Sequence, residues 1–312
     1  MDASKLHVVT CIANPVRWES RIRLYRDFEQ HMLDSGVKLT TVECAYGERP
    51  HVLGGNPHIN HVAVRAAGQA LVWNKEPLWN IGVHRLPDDA RYIATIDADV
   101  KFRRPDWASD TVHALQHYDV IQPWSECYDL GPNDEHLELH RSFCRLVWEG
   151  KPIIQGPNTH KAPYQFGHPG YAWAWTRRAL DAVGGYPETA ALGAADHHVA
   201  LALIGRVNDS IPNNLTEAYK TPLRLWQQRA ERHIARNIGY IPGTIEHAFH
   251  GSKPKRAYIG RWDILAKHNF DPTTDLRRNS HGVMELAGNK PGLRLDIDRY
   301  FRSRNEDANS AD

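Results

Sequence analysis

Over its first 124 residues the chain alternates short apolar, β-branched runs with stretches of helical spacing, which restricts it to a sheet with helices packed on its faces. LHVVTCIA reads as a strand ending at Asn14-Pro15, and RIRLYRDFEQHMLDSG follows as a helix that stops at Gly36. KLTTVECAYG and HVAVRAA read as further strands, while LVWNKEPLWNIGVHRL reads as a helix in which Pro77 marks the first turn or a kink. ARYIATIDADV is the clearest strand; DWASDTVHALQHY then reads as a helix and DVIQPW as a short strand. The expected product is a parallel, doubly wound α/β sheet holding its ligands at the carboxyl ends of the strands.

Between residues 125 and 167 the pattern weakens, and this stretch reads as loop and short helix. GHPGYAWAWTRRALDAVGGYPE is dense in aromatics and glycine. Helices are expected through DHHVALALIG and NLTEAYKTPLRLWQQRAERHIARN, then one strand through GYIPGTIEHAFHG. The tail, through YIGRWDILAKHNF and DIDRYFRSR, reads as helical, and only NEDANSAD reads as disordered. With 312 residues, 41% of them hydrophobic, the chain can bury a large core. Its 38 lysines and arginines against 37 aspartates and glutamates leave no global field to recruit nucleic acid or an anionic membrane. Cys11, Cys44, Cys127 and Cys144 are too irregularly spaced for a zinc ribbon or a disulfide framework. With no signal-like start and no apolar run of spanning length, a cytoplasmic protein is expected.

The chemistry concentrates in a few places. Asp97-Ala98-Asp99 ends the best strand, and two carboxylates there suit a hard cation, Mg²⁺ or Mn²⁺, although such a pair also serves as a turn or helix cap. In HAFHG, His247 and His250 precede Lys253, Lys255 and Arg256, a setting suited to diphosphate. His250, beside Gly251, is the better placed of the two, and His247 is expected to face the core or an acceptor cleft. The 19 histidines of the chain and the usual solvation of basic runs weigh on the other side. Asp196 opens the DHHVALALIG helix as a general base, an N-cap, or both. Tyr171, Trp173 and Trp175 offer faces for a sugar or base; core packing is the alternative, most of all for Trp175.

Read together, NIGVHRLPDDARYIATIDADV resembles the glycosyltransferase family 2 pattern, an Asn-x-Gly helix followed by an apolar strand ending in Asp-x-Asp. Asn80, Gly82, Asp97 and Asp99 occupy the matching positions. FGHPGYAWAWTRRALDAVGGYPETAALGAADHHVALALIG follows the family order of glycine-rich block, Arg177-Arg178, Gly184-Gly185 turn and acidic Asp196. The resemblance spans roughly residues 6 to 250. It implies a GT-A fold, Rossmann-like and mostly parallel, and a transferase that moves a sugar from a nucleotide diphosphate donor, a UDP-sugar, to an acceptor hydroxyl with inversion. The implied roles are metal binding by Asp97, Asp99 and His250, donor contacts from Asn14, Lys75, Asn80, Asp97, Lys253, Arg256 and Tyr258, and Asp196 as catalytic base. Two departures stand out: Ala195-Asp196 supplies one carboxylate where many members have two, and ANPVRWESR lacks the aspartate-rich turn often found near the donor base.

HGSKPKRAYIGR is similar to runs in soluble glycosyltransferases of bacteria and phages, which implies a glycan, a small molecule or a hydroxymethylated base of phage DNA as acceptor. The expected division is a GT-A domain over 1–250, with a donor half to about 124 and an acceptor half from 125, then a C-terminal lid and helical extension over 251–312. A metal-dependent hydrolase and a sugar nucleotidyltransferase are the rival readings. The first lacks a His-Glu-x-x-His signature, and the second a glycine-rich basic loop after the first strand.

Overall fold

The computed structural model describes residues 2–69, 71–153, 167–251 and 260–308. Its strands are β1 (Leu6–Ala13), β2 (Lys38–Tyr46), β3 (Asn60–Ala66), β4 (Tyr92–Ile96), β5 (Val100–Phe102), β6 (Val120–Gln122), β7 (Glu126–Leu130), β8 (His136–Arg141), β9 (Ala172–Thr176), β10 (Ile238–Tyr240), β11 (Thr244–His247), β12 (Leu276–Arg278) and β13 (Met284–Leu286). The main sheet runs β10-β6-β9-β4-β1-β2-β3, with β9 antiparallel to both β4 and β6 and the other pairings parallel. This is the mixed, mostly parallel α/β sheet of a GT-A, Rossmann-like fold. Interior strands covered on both faces need continuous apolar character, which β1 and β4 have.

Helix α1 (Glu19–Asp34) buries Leu24, Tyr25, Phe28 and Met32, residues spaced three and four apart, on one side of the sheet. Helix α2 (Lys75–His84) packs on the other, with Pro77 inside its first turn. Contact there is close: a Cβ on Gly82 would stand 2.5 Å from Val9 Cγ1 and 2.9 Å from Val42 Cγ2. Asn80 on the same helix ties down the Gly184-Gly185 turn, accepting from Tyr186 N (2.8 Å) and donating to Tyr186 O (2.9 Å). The Asn-x-Gly and Gly-Gly elements therefore meet as packing partners.

A second sheet, β5-β11-β7-β8, corrects the reading of residues 125–141 as loop and short helix: β7 and β8 form a hairpin. Residues 239–251, expected as one strand, instead hold the end of β10 in the main sheet and the whole of β11 in the second. The remaining helices are α3 (Trp107–Ala114), α4 (Phe143–Trp148), α5 (Arg177–Val183), α6 (Ala195–Leu203), α7 (Glu217–His233), α8 (Gly260–Lys267), α9 (Pro272–Asp275) and α10 (Pro291–Ser303). Trp173 and Trp175 are buried in β9, each indole N–H bonded internally, to Pro169 O (2.7 Å) and Tyr186 OH (2.6 Å). Neither offers a face to a ligand.

The tail also differs from expectation. Glu306, in the segment read as disordered, is 1% exposed, and Asp307 accepts from the backbone N–H groups of Glu19 (2.9 Å) and Ser20 (2.8 Å) at the start of α1. A carboxylate at a helix N-terminus satisfies N–H groups that have no partner within the helix. No helix among the described residues is long and apolar enough to cross a membrane.

Candidate active site

Strand register assembles the site. Past Ile96 the chain leaves the main sheet: Asp97 N donates to Tyr171 O (2.8 Å), and Asp99 O accepts from Ala248 N (2.9 Å). The pairing of β5 with β11 sets Val100 opposite His247, and the pairing of β11 with β7 sets His247 opposite Asp129. Three ligand atoms consequently face one another: His250 Nε2 lies 3.2 Å from Asp99 Oδ2, His247 Nε2 lies 3.7 Å from the same oxygen, and the two Nε2 atoms are 3.2 Å apart. Ligand atoms about 2.1–2.2 Å from one ion at tetrahedral or octahedral angles stand about 3.0–3.6 Å apart. Asp99, His247 and His250 fit a divalent cation.

Behind this group, His247 Nδ1 donates to Asp129 Oδ1 (2.8 Å), which also accepts from Tyr171 OH (2.8 Å), while His140 Nε2 donates to Asp129 Oδ2 (3.0 Å). Fixing the proton on Nδ1 turns the lone pair of His247 Nε2 toward Asp99, the usual way a carboxylate orients a ligating imidazole. Burial opposes charge on Asp129, yet the hydrogen bonds from His140 and His247 hold its pKa far below the ordinary carboxylate value. Without a cation, burial likewise disfavours charged His247, but Asp99 and Asp129 push its pKa up to about 10, so a cation bound there would take the place of the Nε2 proton. Asp129, Glu138 and His140 form a second group whose ligand atoms lie within 4.8 Å of one another.

Both groups line a cavity of about 560 Å³ whose other walls carry Lys75, Asp97, Asp196, Arg21, Trp73 and Arg304. Lys75 Nζ lies 3.2 Å from Asp97 Oδ1 and 4.7 Å from the centre of the Trp79 ring. Burial works against its charge, but Asp97, Asp196 and Glu76 together raise the Lys75 pKa above its ordinary value. Asp196 does not cap α6: the cap residue is Ala194, at φ 75°, and Asp196 Oδ1 accepts only at short range, from His197 N (2.8 Å). Ala194 and Tyr171 (φ 74°) are both non-glycine residues in the left-handed region on this cavity wall, where backbone strain commonly gathers at functional sites.

Of the residues singled out in the sequence, Lys75, Asp97, Asp99, Asp196 and His250 meet in this cavity. Asp97 points to Lys75, apart from the three converging ligand atoms. Asn14 is engaged locally, its side chain bonded to the backbone of Trp18 at 2.7 and 2.9 Å, and Asn80 is buried against Tyr186 and Glu188. Lys253, Arg256 and Tyr258, with the lid expected to carry them, lie outside the described residues. The sequence did not point to His247 as a candidate ligand, nor to Asp129, His140, Glu138, Arg21, Arg304 and Glu306, which also line the cavity. A signal for the hairpin was present in ECYDL-GPNDE-HLELHR, two short runs flanking a Gly-Pro-Asn-Asp turn. The tail carried none.

No protein-family profile matches the sequence, and no curated protein matches it. Among solved structures, the chain is similar to the catalytic domain of Drosophila β1,4-galactosyltransferase 7 in complex with xylobiose (12% identity, TM-score 0.34, 66% of this chain and 61% of that one). It is also similar to residues 1–349 of S. aureus TarS (10%, 0.42, 85% and 66%) and to glucosyl-3-phosphoglycerate synthase from Mycobacterium tuberculosis (12%, 0.41, 86% and 78%). The chain thus spans less than two thirds of the galactosyltransferase domain. The fold assignment rests on the strand order and the antiparallel β9 described above.

Proposed function

We propose that this chain is a metal-dependent glycosyltransferase that takes a nucleotide diphosphate sugar, a UDP-sugar being the first donor to test, and passes the sugar to an acceptor hydroxyl with inversion. The observation that supports this reading is the convergence of Asp99, His247 and His250 in a cavity that also holds Lys75, Asp97 and Asp196. Two imidazoles beside one carboxylate favour Mn²⁺ over Mg²⁺, which prefers an all-oxygen shell. A cation held there supplies positive charge to the departing diphosphate.

The chain's own groups do the rest. Lys75, kept charged by its carboxylate neighbours, holds Asp97 in place to accept from a donor ribose hydroxyl. Arg21 and Arg304 line the cavity and, with Lys253, Arg256 and Tyr258, are the proposed phosphate contacts. Asp196 takes the proton from the attacking acceptor hydroxyl. Residues 1–124 form the donor half, 125–250 the acceptor half and 251–312 the extension. A glycan or small-molecule acceptor agrees better with a net charge of +1 than a hydroxymethylated DNA base does.

The test is Asp196→Asn. Donor binding should stay within a few-fold of wild type while transfer falls by about a hundredfold or more, the scale of general-base catalysis. Weakened donor binding with unchanged single-turnover chemistry would move Asp196 to the donor pocket. Donor cleavage at full rate without any acceptor would favour the hydrolase reading.

A further inference from the structure

The cavity wall next to the metal ligands is built by the end of the chain, far from them in sequence. Arg21 donates through Nε and Nη2 to Glu306 Oε2 (2.6 Å) and Oε1 (2.9 Å), and Arg304 Nε donates to Oε1 (2.7 Å). Glu306 O accepts from Ser20 Oγ (3.1 Å), and Asp307 binds the start of α1. These contacts fix the carboxylate at a set place, with its side chain wholly buried. That place is behind His250: Glu306 Oε2 lies 3.8 Å from His250 Nδ1, on the side of the ring opposite the Nε2 that faces Asp99.

The backbone shows the same association. Gly251, next to His250, sits at φ +87°, and a Cβ there would stand 2.9 Å from Asn305 O and 3.0 Å from Glu306 Cα. The tail thus lies directly on the turn that carries the ligand. At 3.8 Å the contact is one of charge and not a hydrogen bond, unlike that at His247, where Asp129 accepts from Nδ1 at 2.8 Å and leaves Nε2 to the ligand group.

We propose that residues 304–307 are a strap that completes the metal centre, with Glu306 as a positioning residue for His250. The inference rests on the metal reading above. The strap fixes the ring through the charge behind it and through contact with Gly251. It also binds Arg21 and Arg304, so two cavity cations and one metal ligand take their positions from the same carboxylate. A ligating histidine deprived of its supporting carboxylate typically loses metal affinity by about 10- to 100-fold.

The test is Mn²⁺ affinity of the full chain without nucleotide, read from the electron paramagnetic resonance signal of free Mn²⁺, together with the urea-unfolding midpoint of the metal-free protein. Glu306→Gln should weaken Mn²⁺ binding about tenfold. Asp307→Ala, which releases the anchor on α1 and leaves the Glu306 charge in place, should weaken it by a smaller factor. A lowered unfolding midpoint with unchanged Mn²⁺ affinity in both variants would make the tail a structural brace only and overturn the strap. Failure of the wild type to bind Mn²⁺ would sink the metal reading and the strap together, whereas a tight wild type and an equally tight Glu306→Gln would sink the strap alone.

Discussion

Two groups of histidine and carboxylate share one cavity wall, and they differ in what their ligand atoms face. In Asp99, His247 and His250 the two Nε2 atoms and a carboxylate oxygen face each other across 3.2–3.7 Å. In Asp129, Glu138 and His140 both Asp129 oxygens are engaged, one by His247 and Tyr171 and the other by His140, while the Glu138 side chain is 52% exposed. Both mix imidazole and carboxylate, two histidines to one carboxylate in the first group and one to two in the second. Hydrogen bonding separates them further, into a candidate metal centre whose ligand atoms face one another and a group whose Asp129 is taken up by the surrounding histidines and Tyr171.

The ranking can be broken by substitution. Asp99→Asn carries the largest expected effect: Mn²⁺ binding and metal-dependent donor binding are lost while the far-ultraviolet circular dichroism spectrum is unchanged. Asp129→Asn should weaken Mn²⁺ binding by about 10- to 100-fold, the cost of a supporting carboxylate and not of a ligand. Loss as complete as that of Asp99→Asn would promote Asp129 to the metal shell. His140→Ala, one step further from the ion, should change Mn²⁺ affinity by about threefold or less, below the usual range for a supporting group. A larger loss in isothermal titration would point to a second ion at Asp129, Glu138 and His140.

A separate prediction concerns a carboxylate outside both groups. Burial raises the Glu76 pKa from 4.5 to about 7, an increase that nearby Lys75 moderates. An acid whose pKa is raised in the folded chain takes up a proton on folding, so it costs stability as pH rises from about 4.5 to about 7. Glu76→Gln removes that term. Urea titrations between pH 4.5 and 7 should show the variant losing less stability than the wild type over that window; parallel curves would show that Glu76 ionises freely.

Much of this arrangement was legible in the sequence because it is local. The period of the apolar residues marked β1, β2 and β4, and Asp97-Ala98-Asp99 at the end of β4 marked where the cavity opens. Asn80 shows the limit of motif reading: its position in the family pattern was clear, but its task of holding the Gly184-Gly185 turn depends on a contact 106 residues away. β8 escaped notice although Leu137 and Leu139 alternate with polar residues after the turn: it is an edge strand on which both leucines are exposed and only His140 is buried, so its alternation is not that of core and surface. His247 gained its place from register with Val100 and Asp129, information carried by pairing and not by neighbours in the chain. Glu306 lies within a polar tail with the composition of a disordered end, and its burial follows from Arg21, 285 residues away.

Binding of a nucleotide diphosphate through a metal in this cavity is read most directly from the thermal midpoint of the protein with UDP, with Mn²⁺, with both and with uridine plus Mn²⁺. A ligand at a hundred times its Kd stabilises the folded state by about 2.7 kcal/mol. UDP with Mn²⁺ should raise the midpoint by several degrees more than the separate effects of either one added together, and uridine with Mn²⁺ should not. An equal rise with UDP in the presence of a chelator, or no rise with any nucleoside diphosphate and Mn²⁺, would contradict the account.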